Sequence, residues 1–197
     1  MSGRRFTTKP VLFCTRRLLL CAALLVGTRA AAQAPTGESQ VKAMFVYNFL
    51  KFVEWPVDAS AGAKDPFVVL IIGEGPTADA TESFLASKTV GDRPLVVRRT
   101  RSEPSFAGVR ATFVAERDGK KLRHILDAAA AAGVLTIGEG DDFATRGGII
   151  GLLVENRKVR FDVDTTAAQS AGLRVSSKLL ALTRNVRSAS DRSGPQP

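Results

Sequence analysis

The sequence predicts an α/β fold: a single domain with a largely parallel sheet and an antiparallel hairpin at one edge. Three observations carry this. Short apolar runs rich in β-branched residues recur along the chain, helical patterns fall between most of them, and the last two runs are joined only by Glu155-Asn156-Arg157. So short a polar connection suits a hairpin and excludes a crossover helix.

Taken in order, the first element is not part of the fold. Arg4, Arg5, Lys9, Arg16 and Arg17 precede an apolar run from Leu18 to Val26, and Ala30-Ala31-Ala32 follows. A run of about nine residues is far short of the roughly 20 needed to span a bilayer, and small residues after it suit a signal peptidase. Residues 1–32 read as an export signal cleaved before Gln33. Acylation of Cys21 would need a small residue in front of it, and Leu20 stands there. Both cysteines, Cys14 and Cys21, lie in this leader, so the exported chain has no disulfide. Removing it also lowers the formal charge from +9 to +3, with 22 basic against 19 acidic residues. What remains lacks the dense basic face with interleaved aromatics of a nucleic-acid binder. The strongest candidate, Arg98, Arg99 and Arg101, reads as a solvated strand end.

Residues 33–38 read as a flexible lead, 33–185 as one domain and 186–197 as a polar tail. Strands are expected at Phe67 to Ile72, Leu95 to Arg99, Ala111 to Ala115, Val134 to Ile137, Ile149 to Val154 and Val159 to Val163. Ser39 is placed to cap the first helix and Asp118 one that Gly133 ends. Asp164 or Thr165 can cap a short helix ending at Gly172, and Ser176 a last one over Ser177 to Arg184.

The first helix is unusual. On a 100° projection, Val41, Phe52, Phe45, Phe49, Val53, Val46, Leu50 and Ala43 share an arc of roughly 200°, twice an ordinary apolar stripe. Only Lys42 interrupts it, and Tyr47, Met44 and Trp55 extend apolar character to the other side. Either the helix is packed on most sides, or one flank meets the sheet and the other meets another chain.

Catalytic chemistry finds little support. His124 is the one histidine and reads as a surface residue; no HExxH or GxSxG pattern is present, and Asp141-Asp142 suit turn or capping roles. Gly73-Glu74-Gly75-Pro76-Thr77-Ala78 matches a dinucleotide-binding fingerprint after a strand, but Glu74 puts a negative charge where pyrophosphate would lie and Pro76 removes an amide donor. Gly138-Glu139-Gly140 repeats the pattern. Two such turns at the carboxyl end of a sheet could flank a small-molecule pocket, or could simply be tight βα turns. No cofactor or metal is expected.

Three stretches carry a family likeness. Residues 41–56, VKAMFVYNFLKFVEWP, resemble the opening helix of YfiR-like proteins; Gly147 to Gly151 with Val159 to Asp164 is similar to their late hairpin; Ala171 to Leu180 resembles their C-terminal segment, and Lys88 to Leu95 adds to the match. The resemblance implies a Rossmann-like three-layer domain in the periplasm, often a homodimer. It also implies a regulatory role: repression of an inner-membrane diguanylate cyclase through its periplasmic sensor region, with release by an OmpA-like outer-membrane lipoprotein. Some relatives carry disulfides, and this chain cannot. The alternative function is a periplasmic small-molecule-binding module feeding a sensor kinase or other membrane receptor. For partner contact the expected residues are Phe45, Phe49 and Trp55 of the first helix with Leu173, Val175 and Leu179 near the C-terminus.

Overall fold

The computed structural model describes residues 3, 37–56 and 65–188; apart from Gly3, the stretch read above as an export signal lies outside the described residues, as does the end of the expected tail. The chain divides into two units, and the fold below is that of Ala34–Pro197. Its elements run α1 (Gly37–Phe52), β1 (Val53–Glu54), β2 (Phe67–Ile72), α2 (Pro76–Leu85), β3 (Thr89–Val90), β4 (Arg93–Thr100), β5 (Val109–Val114), α3 (Gly119–Ala131), β6 (Leu135–Glu139), β7 (Ile150–Glu155), β8 (Lys158–Asp164), α4 (Thr165–Ser170), β9 (Arg174–Val175), α5 (Ser177–Leu180) and β10 (Asn185–Arg187).

Eight strands form one sheet in the order β10-β8-β7-β6-β5-β2-β4-β3. Strands β4, β2, β5, β6 and β7 are parallel, as the unbroken apolar runs predict for strands covered on both faces. Strand β2 shows why: all six residues are buried, Phe67, Val69 and Ile71 toward one core and Val68, Leu70 and Ile72 toward the other. Residues of α1, α2, α4 and α5 join the first core, whereas α3 supplies Leu122, Ile125, Leu126 and Ala129 to the second. The result is three layers, helices on both faces of a mixed, mostly parallel sheet.

The hairpin of β7 and β8 is antiparallel, with Asn156 (φ 50°) and Arg157 (φ 60°) both left-handed in a two-residue turn. That twist matches the flanking strands. The hairpin is not the outermost element, because β10 pairs in parallel with Asp162–Asp164 of β8. Two sequence expectations therefore change. The helix drawn to Arg184 stops at Leu180, and the boundary drawn between 185 and 186 cuts through a strand. A three-residue strand has too little periodicity to be seen locally; it is held by Arg184, whose guanidinium grips buried Asp162 at 2.5 and 3.0 Å.

Helix ends follow their caps closely. Asp118 accepts from Lys120 N and Lys121 N, Asp164 from Ala167 N and Ser176 from Leu179 N. At the end of α3, Gly133 (φ 68°) donates to Ala130 O and Val134 to Ala129 O, a left-handed cap that a side chain would strain. The first helix departs from expectation at both ends. It starts at Gly37, so Ser39 is buried in its first turn and does not cap it, and the lead is shorter than drawn. It ends at Phe52, because Val53 pairs with Val175, Ser176 N donates to Phe52 O, and a residue preceding Pro56 is disfavoured in helix.

Candidate functional site

The arc on α1 resolves into two flanks. Ala43, Val46, Phe49 and Leu50 are buried, with the Phe49 ring tilted against that of Phe161 of β8 at 4.9 Å between centroids. The other flank faces outward: Val41, Met44 and Phe52 are 41, 49 and 37 % exposed, and half-buried Phe45 lies beside them, 5.8 Å from Phe161. Val41, Met44 and Phe45 follow helical spacing, with Phe52 two turns on beyond polar Asn48, so an apolar strip interrupted at Asn48 lies along this flank. Large apolar groups left in water in a row mark contact surfaces more often than scattered ones do.

Of the six residues expected to meet a partner, Phe45, Trp55 and Val175 keep part of their surface, and they lie against the core. Phe49, Leu173 and Leu179 do not: they are 0, 1 and 3 % exposed and belong to the core under α1. Leu173 follows the left-handed turn at Gly172, and its N–H bonds Ala168 O, which drives its side chain inward. Sequence reasoning missed Val41, Met44 and Phe52 as surface residues. The signal was the width of the arc, more apolar circumference than one buried side can use.

Lys42, the residue that interrupts the arc, is also buried. Its ammonium meets Glu139 Oε1 at 2.7 Å and Glu38 Oε1 at 2.6 Å, and Thr77 Oγ1 donates to the same Glu139 oxygen at 3.0 Å. Burial pushes its pKa down, but hydrogen bonds and charge from Glu139 and Glu38 outweigh it and hold the net value above that of an ordinary lysine. The second Gly-Glu-Gly turn is thus a clamp on α1.

That turn has no room for a ligand on its other side. The Phe143 ring is sandwiched between the backbones of Gly138 and Gly148; a Cβ at either would stand 2.6 or 2.8 Å from ring Cζ and closer still to two other ring atoms. The glycines are small to admit this ring.

The first turn differs. It lies where β2 leads one way to β4 and the chain then crosses to β5 on the other side, the switch point at which open α/β sheets take ligands. A cavity of about 450 Å³ opens there, lined among others by Gly73, Arg101, Glu103, Lys120 and His124. At its rim Arg101 pairs with Glu74, and His124 stands exposed with Nε2 at 2.9 Å from Glu103 Oε1. Arg99 is held by Asp79 and Glu82 at 2.7 and 2.9 Å. Two of the three arginines of the candidate basic patch are therefore in ion pairs, Arg101 at the surface and Arg99 partly buried. Among the described residues no helix is long and apolar enough to cross a membrane, and no group of three His, Cys, Asp or Glu could hold a metal.

The three-layer α/β scaffold agrees with the comparisons. A family model described as YfiR/HmsC-like matches residues 39–184, and the chain belongs to that family. No curated protein matches it. Among solved structures it is similar to a crystal structure of a conserved domain protein from Vibrio cholerae O1 biovar eltor, at 11 % identity and a TM-score of 0.50. The match covers 76 % of this chain and 60 % of that one, and it shows the fold alone.

Proposed function

We propose that this is an exported regulatory protein of the periplasm that represses an inner-membrane diguanylate cyclase by binding its periplasmic sensor region. The observation that carries the reading is the exposed apolar strip of Val41, Met44, Phe45 and Phe52 on the helix that also bears the family likeness. Restraint then rests on competition between protein surfaces, so that an OmpA-like lipoprotein, or a second copy in a homodimer, could cover the same strip and release the cyclase. Trp55, just after β1, and Val175 in β9 would border the contact.

The test is cellular and structural together. Deleting the gene is expected to raise cyclic di-GMP, and Met44→Glu or Phe52→Glu should reproduce the rise while stability stays within about 0.5 kcal/mol of wild type, as surface substitutions usually do. Unchanged cyclic di-GMP in the deletion strain would end the reading.

One observation favours a second reading, a small-molecule module feeding a sensor kinase: the cavity at the first Gly-Glu-Gly turn occupies the ligand position of the fold. A rise in melting temperature with inorganic phosphate or citrate, lost in Arg101→Ala, would support it; flat melting curves would not.

A further inference from the structure

The sheet is half open along its outer margin. Strand β10 covers Asp162, Val163 and Asp164 of β8 and goes no further, so Lys158–Phe161 have β7 on one side and, among the described residues, no strand on the other. In a two-residue hairpin the residues flanking the turn, Glu155 and Lys158, bond to each other, and from there every second residue of β8 turns its N–H and C=O away from β7. Those residues are Val159, Phe161 and Val163. Phe161 O confirms the sense, since it accepts from Arg184 N and Thr183 Oγ1, both at 2.9 Å, outside the hairpin. The backbone of Val159 is left facing outward with, among the described residues, no strand beside it.

The two sides of this half-edge differ in chemistry. Val159 lies on the face of Phe161, where Phe45 packs and where its cross-strand neighbour Val154 is 44 % exposed. Lys158 and Arg160, with Arg157 in the turn, are exposed, and none of the three is in an ion pair among the described residues. One side is an apolar step and the other is a row of free positive charge.

We propose that this half-edge of β8 docks an extended acidic segment of a partner protein, which adds as a short strand beside residues 158–161. Such strand addition takes its affinity from backbone hydrogen bonds and its specificity from alternate side chains. The segment that fits alternates apolar residues, lying on Val159 and Val154, with glutamates or aspartates that meet Lys158 and Arg160. A second copy of this chain does not fit, because edge-to-edge pairing would set the same three cations against themselves, which is how natural edges discourage self-association. The proposal concerns how a partner is gripped and does not depend on which enzyme is restrained.

The experiment uses the full chain, expressed with its own leader and purified as the cell processes it, and a fluorescent hexapeptide of alternating glutamate and valine. The peptide is expected to bind, with the largest amide NMR shifts at Val159 and Phe161. Methylating the peptide's backbone nitrogens should weaken it by about tenfold, the worth of one or two hydrogen bonds. Replacing glutamate by lysine should also abolish measurable binding. Charge reversal at Lys158→Glu and Arg160→Glu, both exposed and tolerable to the fold, should exchange the preference between the two peptides. No binding of the glutamate peptide, equal binding of its N-methylated form, or an unchanged preference in the charge-reversed variant would overturn the proposal. Self-association through these residues in the absence of peptide would overturn it as well, by giving the edge to a second copy.

Discussion

The two Gly-Glu-Gly turns are nearly identical in sequence and opposite in use. Gly73-Glu74-Gly75 is open: Glu74 reaches across the surface to Arg101, both more than half exposed, beside a cavity. Gly138-Glu139-Gly140 is closed: its first glycine admits the Phe143 ring and its glutamate neutralises a buried lysine on α1. A glycine-rich turn after a strand therefore announces close approach of something to the backbone, and only the neighbourhood says whether that is a ligand or a side chain.

The largest way to break the contrast is to fill the closed turn. Phe143→Ala should cost about 3–5 kcal/mol, as loss of a buried aromatic does. Gly138→Ala should cost about 3 kcal/mol from overpacking, because Gly148 prevents the ring from moving away. Denaturant midpoints measure both, and the double variant Gly138→Ala with Phe143→Leu should recover part of the loss; strict additivity would show that the ring is not pinned.

Glu139→Ala comes next. It leaves Lys42 with Glu38 alone, and because Glu139 and Glu38 are partly solvated the expected loss is about 1–2 kcal/mol, below that of a fully buried pair. The pH dependence has a definite sign. The folded value for Lys42 lies above its unfolded value, so the contribution is complete below pH about 10.4 and fades as pH rises through the folded value. The difference in melting temperature between wild type and Lys42→Met should hold steady across neutral pH and close in strong alkali. Glu74→Ala is the control at the open turn and should change stability by less than about 0.5 kcal/mol, since its partner is as exposed as it is.

A separate test addresses the C-terminal strand. Arg184 is held charged, its pKa raised chiefly by its hydrogen bonds to Asp162. Arg184→Ala would leave that buried carboxylate unpaired, at a cost of about 2–4 kcal/mol, and hydrogen exchange should show amides of β10 opening first.

Much of the scaffold was legible because its signals are local. The run Phe67–Ile72 was placed to the residue, and Asp118, Asp164 and Ser176 cap where an oxygen just ahead of a helical pattern should. Elements of two or three residues were not legible: β1, β3, β9 and β10 exist through partners elsewhere in the chain. The site was legible only in outline. The breadth of apolar character on α1 was visible, but Phe49, Leu173 and Leu179 were set among contact residues although the core takes them, and Val41, Met44 and Phe52 were overlooked.

By itself, then, the sequence determined the order of the longer strands and helices, the caps Asp118, Asp164 and Ser176, and membership of a family. Periodicity and capping act over a few residues, so one chain suffices to read them. Tertiary structure decided which flank of α1 faces water, that Lys42 meets a glutamate 97 residues away, that a phenylalanine fills one glycine turn while the other stays open, and where the sheet ends. Each of these depends on what packs against a residue, and that partner is distant in the sequence.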